Sequence, residues 1–256
     1  MNIITQYFTK HRNYTNPTKI KPSGIMVHDT GADNPNLKRY VPGNDIIGYN
    51  QYNNHWDKAD QVECVHAFIG KLADGTVGTV NVLPWTYRAY HCGGTANNTH
   101  LSFEICRDLY DADYFDKAYQ EAAELCAYLC MLYGLDPLTD IVCHSEGYKL
   151  GIASNHADVM EWFPLHNEDM DLFRNYVNQL IYKEDTGMNV EEWLASTQDN
   201  DASEWSADAR QWAIDTGLAA GGGTLETGET NYMWESPLTR EQFYQVLYRM
   251  HLNGWF

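Results

Sequence analysis

The chain has 256 residues and a formal net charge of −18, long enough to bury one large core or two smaller ones. That charge excludes a nucleic-acid binder, which needs clustered Lys and Arg, and it excludes docking on anionic membranes. The 18 Tyr and 8 Trp are many for this length, and such rings serve either core packing or a carbohydrate-facing groove.

The N-terminus, from Met1 to Lys10, lacks the basic-then-apolar pattern of a signal peptide, and no apolar run reaches membrane-spanning length. Cysteines 64, 92, 106, 126, 130 and 143 are dispersed without a CxxC pair, and Cys126 and Cys130 fall one helical turn apart in an apolar pattern. Buried free thiols in a protein made in a reducing cytoplasm are the expectation.

Gly24 to His28 reads as a strand with Ile25 and Val27 on one face and Met26 and His28 on the other, closed by Asp29-Thr30-Gly31. Asn44 to Asp60 is polar and aromatic, a surface helix or loop that carries Tyr49. Val65 to Ile69 and Val77 to Val80 flank Asp74-Gly75, a hairpin signal. The Trp85 to Gly94 stretch holds Tyr90, His91 and two glycines in a loop able to approach a ligand closely. In Leu101 to Ile105 the apolar residues alternate, which places Ser102 and Glu104 on the opposite side of a strand.

Phe115 to Tyr133 has the period of an amphipathic helix, closed by Gly134 with Pro137 beyond. Ile141 to Cys143 reads as a strand end, followed by His144, a loop with Gly147 and Gly151, then His156 and Asp158. Asp169 to Tyr182 predicts a helix with Leu172, Tyr176, Val177 and Leu180 as its apolar stripe. Strands mixed with helices make residues 1–183 one α/β domain.

From Glu184 the chain becomes strongly acidic. Residues 184–203 read as a linker around the polar run Ala195 to Ser203. Residues 204–256 read as a small helical module. Trp205, Ala209, Trp212 and Ala213 share one helical face, Gly217 is a stop, Gly221 opens a loop, and Thr239 to Gln242 is a capping box.

Imidazole and carboxylate are ligands of catalytic zinc, which takes three from the protein and leaves one position open. His144, His156 and Asp158 lie close together, and His28, at a strand end beside a glycine turn, is the distant candidate. A capping pair and a structural histidine would explain each piece singly. Glu104, on a rigid strand, suits general-base work or simply faces solvent.

Taken in order, G-I-M-V-H28, A-F-I-G-K-L-A-D-G-T-V, A-Y-H91-C-G-G, L-S-F-E104-I, C-H144-S-E-G-Y and H156-A-D158 resemble a type 2 N-acetylmuramoyl-L-alanine amidase over about residues 20–180. The resemblance implies a zinc amidase domain with a central mixed sheet flanked by helices. It implies zinc held by His28, His144 and Asp158, with Glu104 as catalytic acid/base and His156 as the basic stabiliser of the transition state. His91 would line the substrate groove, with Trp85, Tyr90 and Tyr49 offering stacking surfaces. The family commonly has proline after its last ligand, whereas Val159 follows Asp158 here, so His156 and Asp158 could exchange roles.

The tail, W-S-A-D-A-R-Q-W-A-I-D-T-G-L-A-A-G-G-G and S-P-L-T-R-E-Q-F-Y-Q-V-L-Y-R-M, is similar to one S-layer homology repeat. That similarity implies wall binding or self-association through the module. The expected partner is bacterial peptidoglycan, and the expected enzyme is a phage or prophage lysin that waits in the cytoplasm and reaches the wall after release. Two other readings use the same residues: a peptidoglycan-binding protein without turnover, and a zinc peptidase acting on the stem peptide.

Overall fold

The computed structural model describes residues 3–182, 207–216, 219, 223–224, 228–232 and 250. The chain divides into two units, Met1–Lys183 and Glu184–Phe256.

In the first unit, β1 (Ile3–Thr5), β2 (Gly24–Asp29), β3 (Ala67–Lys71), β4 (Val77–Asn81), β5 (His100–Ile105) and β6 (Ile141–Cys143) form a sheet in the order β1-β4-β3-β5-β2-β6. Only the β3–β4 hairpin is antiparallel; the other four pairings are parallel. The hairpin turns where Asp74-Gly75 predicts it: Gly75 takes φ +84°, and Asp74 Oδ1 accepts Thr76 N–H at 2.9 Å.

Strand alternation sorts the core. Ile25, Val27, Leu101, Phe103 and Ile105 point to the face covered by α2 (Ala112–Tyr133) and α4 (Met170–Ile181). Phe8, Leu37, Phe68 and Val80 fill the other face, and Met26, Cys92, Ala96 and Val142 form a small cluster beside them. Asp111 caps α2 by accepting Tyr114 N–H at 3.0 Å. Gly134 ends the helix in the left-handed region, φ +68°. The expected α/β fold, a central mixed sheet flanked by helices, is the one this unit adopts. All six cysteines are free and buried.

Two local expectations change. The buried stripe of α4 is Met170, Phe173 and Val177, while Leu172 is 48% exposed; it sits about 100° around the helix from Phe173 and leaves the stripe. The segment after β6 is not a loop from its start: His144–Lys149 form a short helix, α3. Glu146 supplies the missing start signal, since its Oε2 accepts Cys143 N–H at 3.0 Å. A further short α-helix, α1, is Arg12–Thr15.

The second unit contains a helix, α5 (Ala207–Asp215), and a two-stranded hairpin of β7 (Gly223–Thr224) and β8 (Thr230–Asn231). The helix falls where the tail's first helical face is expected. The hairpin replaces part of an expected loop: Gly221-Gly222-Gly223 gives no strand signal, because backbone pairing rather than side-chain alternation defines a strand this short. The linker 184–203, Trp205, Gly217 and, apart from Met250, the helix expected after Thr239 lie outside the described residues. Among the described residues, no helix is long and apolar enough to cross a membrane.

Candidate metal centre and catalytic pocket

Parallel strands gather ligands beyond their carboxyl ends, and β5, β2 and β6 finish side by side. His28 pairs with Glu104 in the β2–β5 register. Val27 pairs with Cys143 in the β2–β6 register, so His144 is the first residue past β6. Strand alternation turns His28 to the face away from α2. His144 is set by the start of α3, which α4 holds down: Arg174 donates to both Glu146 carboxylate oxygens, at 2.9 and 3.0 Å, and to Ile141 O at 3.1 Å. Asp158 has φ +45°, a conformation Asp tolerates better than most residues; it opens a 3₁₀ turn whose next residue, Val159, is buried.

These three elements bring three donor atoms together. His28 Nδ1 lies 2.6 Å from Asp158 Oδ2, His144 Nδ1 lies 3.1 Å from the same oxygen, and the two Nδ1 atoms are 3.2 Å apart. Tetrahedral zinc with bonds of about 2.1 Å would space its ligands at about 3.4 Å; the two His144 separations approach that, whereas the His28–Asp158 pair, at 2.6 Å, stands at hydrogen-bond distance.

Proton bookkeeping supports the same fit. The Ser154 hydroxyl donates to Cys92 O at 3.0 Å, so at 3.2 Å from His144 Nε2 it accepts that nitrogen's proton. Nδ1 of His144 is then a bare lone pair facing a carboxylate oxygen. Two acceptors at that distance with no proton of their own call for a cation between them. His28 is braced likewise, its Nε2 lying 2.9 Å from His91 Nδ1. Burial lowers the His28 pKa, against the opposing pull of Asp158, and keeps the ring neutral as a ligand must be. Asp158 is itself partly buried, but the neighbouring His144 and His28 outweigh that and hold its carboxyl below the ordinary range.

The donors open into a cavity of about 370 Å³ that also receives Tyr90, His91, Glu104 and His156. Glu104 Oε2 and His91 Nε2 are both buried there without a hydrogen-bond partner. Burial, then the charges of Asp158 and Asp29, push the Glu104 carboxyl well above its usual range. His156 stands over His144, with ring centroids 4.8 Å apart, while the converging oxygen belongs to Asp158. Two of the expected stacking rings are elsewhere. Trp85 packs on the core and stacks on His66 at 6.0 Å, drawn in by its apolar area, and Tyr49 lines a separate surface groove with Tyr52 and Asn54.

Sequence reading does not find Ser154, Asp29 or Asn97. Ser154 fixes the His144 tautomer. Asp29 lies under the pocket, where burial raises its pKa to about 6 against the pull of Arg107. Asn97 Oδ1 accepts His91 N–H at 2.8 Å and Cys92 N–H at 3.1 Å and so shapes the loop that carries His91. Adjacency to His28 and to His156 is the signal that could have flagged Asp29 and Ser154.

Two imidazoles and a carboxylate converge at the ends of parallel strands, beside a buried acid, in a group that could hold a metal ion. Residues 18–160 match the N-acetylmuramoyl-L-alanine amidase family, and the chain belongs to that family of peptidoglycan hydrolases. Solved structures share the fold. The hydrolase AmiA of Staphylococcus aureus, determined with its ligand, aligns with a TM-score of 0.55 at 21% identity over 71% of this chain and 83% of that one. The PlyG catalytic domain aligns with a TM-score of 0.52 at 17% identity, covering 71% of this chain and 96% of that one. A mutant endolysin from Bacillus subtilis aligns with a TM-score of 0.50 at 20% identity, covering 69% and 99%. No curated protein matches the chain in sequence.

Proposed function

We propose that this amidase uses one zinc ion, held by His28, His144 and Asp158, to cleave the amide between the lactyl group of N-acetylmuramic acid and L-alanine. The observation that carries the assignment is the convergence of two imidazole nitrogens and a carboxylate oxygen within 3.2 Å of one another. Bound zinc supplies a Lewis acid that polarises the carbonyl and makes water acidic enough to ionise near pH 7.

Glu104 takes the proton from the attacking water and passes it to the leaving amine. Burial raises its pKa, which suits proton uptake, and a dication held nearby would favour the carboxylate and lower that pKa again. His156 faces the oxygen on which charge develops, and His91 Nε2, buried and unpartnered, is a second polar group for the substrate. Tyr90 lines the entrance.

Glu104→Gln keeps the shape and the metal and removes the base. It should bind zinc stoichiometrically and lose at least a hundredfold in the rate of amine release from cell walls. Wild-type turnover by that variant would sink the role given to Glu104. Mass spectrometry of the digest should show muramic acid with a free lactyl carboxylate; products cut within the stem peptide would point to a peptidase instead.

The same proposal covers the rest of the chain. Residues 1–183 are the catalytic domain, 184–203 a linker, and 204–256 an S-layer-homology-like module that binds the wall or self-associates. The tail's sequence pattern and α5 support that division. The setting is that of an endolysin made in the cytoplasm and acting on the wall after release, supported by the fold shared with an endolysin.

A further inference from the structure

A second cavity, of about 270 Å³, lies beside the catalytic one and shares Tyr90 with it. Its wall is built by α1 and the loop before His91: Arg12, Asn13, Asn16, Thr18, Arg88 and Tyr90. The Arg12 and Arg88 guanidinium carbons sit 5.8 and 5.9 Å from the centre of the Tyr90 ring. No carboxylate lines this cavity, although acids outnumber bases 35 to 17 in the chain.

Neither arginine is ion-paired among the described residues. Arg12 Nη2 makes a long contact of 3.4 Å to Val62 O. Arg88 Nε donates to Asn98 Oδ1 at 2.6 Å, which fixes the guanidinium while neither terminal nitrogen has a hydrogen-bond partner among the described residues. The backbone beneath is held as well: Asn13 Nδ2 donates to Arg88 O at 2.8 Å, and Arg88 N–H to Thr18 O at 2.8 Å. A fork of donors held open on a ring, in a protein rich in acids that leaves them unpaired, fits a planar anion.

We propose that this cavity is the subsite for a carboxylate of the stem peptide, the α-carboxylate of its second residue, and that Arg12 and Arg88 determine specificity there. The inference rests on the amidase reading above. Charge decides the side of the substrate: the glycan strand is neutral, and the acids of peptidoglycan lie on its peptide. Position decides the residue. The cavity adjoins the catalytic one, the carboxyl of the first residue is consumed in a peptide bond, and where the second residue is linked onward through its side-chain carboxyl its α-carboxylate is the nearest free one.

The test uses two muramoyl peptides that differ only at the second residue, one with a free α-carboxylate and one with a carboxamide. The full-length, zinc-loaded protein should prefer the carboxylate by about tenfold, expressed in KM rather than kcat, as expected for charge-assisted hydrogen bonds that form in the ground state. In Arg12→Gln/Arg88→Gln the ratio of the two KM values should fall to near one. Arg12→Lys/Arg88→Lys should give an intermediate ratio, because charge remains and the fork is lost. A ratio is insensitive to general loss of folded protein. No preference in the wild type, or an unchanged preference in the glutamine variant, overturns the proposal. Calorimetric binding of the same peptides separates the two readings: carboxylate-dependent binding without turnover faults the amidase assignment and keeps the subsite, whereas turnover without discrimination faults the subsite alone.

Discussion

A single hydroxyl decides which nitrogen of His144 faces the centre. Because Ser154 has only one proton and gives it to Cys92 O, it can only accept from His144 Nε2, and Nδ1 is left to the metal. Ser154→Ala removes that constraint and leaves Cys92 O without this donor. Loss of such an outer partner typically weakens metal affinity by about 10–100-fold. Chelator competition should show that drop in zinc affinity with little change in thermal midpoint; unchanged affinity would mean the tautomer is fixed by something else. This level was half legible in the sequence. The types and spacing of His28, His144, His156 and Asp158 announce metal chemistry, but periodicity carries no record of hydrogen bonds, so Ser154 and Asn97 read as ordinary polar loop residues. The ambiguity between His156 and Asp158 has the same origin, for two positions apart on a loop leave either side chain free to turn inward.

Secondary-structure elements explain where the site lies. Hydrophobic alternation in β2 and β5 and the helical period of α2 were readable, and with them the faces of His28 and Glu104. The start of α3 was not, because Cys143 occupies the place where Ser, Thr, Asp or Asn usually announces a helix, leaving Glu146 as half a signal. The glycines after His91 show a second limit of sequence. They suggest room for a ligand, yet a Cβ on Gly94 would meet the chain's own Ile152 O at 2.2 Å. Gly94 lets two backbone segments pass, and Ala96 N–H then bonds to Ile152 O at 3.0 Å. Backbone oxygen cannot swing aside as a flexible side chain would. Gly94→Ala should therefore cost about 1–3 kcal/mol in urea unfolding. It should also reduce activity beyond that loss by displacing the loop that carries His91 and Tyr90. A variant with wild-type stability would show that the two segments can part freely.

At the scale of the whole molecule, a charge of −18 gives no general attraction to anionic walls, which is why the recognition proposed above is placed on local groups such as the Tyr90 pocket. The acidic tail is readable as a separate composition and its first helical face as α5, whereas the short β7–β8 pair leaves no hydrophobic period in the sequence. Acid sensitivity of the catalytic unit, by contrast, has an identifiable source in His66. It is fully buried, its Nε2 bonds to Tyr87 O at 2.8 Å and its Nδ1 accepts Ser102 N–H at 3.1 Å. Burial lowers its pKa from 6.5 to about 4, against those backbone hydrogen bonds. A histidine depressed in the fold is neutral there while the unfolded chain takes up a proton. Its contribution is therefore complete above the unfolded pKa and fades as pH falls from about 6.5 toward 4. At about 1.4 kcal/mol per unit, the loss between pH 7 and pH 5 is about 2 kcal/mol. His66→Gln keeps a donor and an acceptor and cannot titrate, so the stability gap between wild type and variant should narrow by that amount over the interval. Comparing the two proteins cancels every other titrating group. A gap that stays constant from pH 7 to pH 5 in urea titrations would mean that water reaches the ring and the imidazole is not held neutral by the fold.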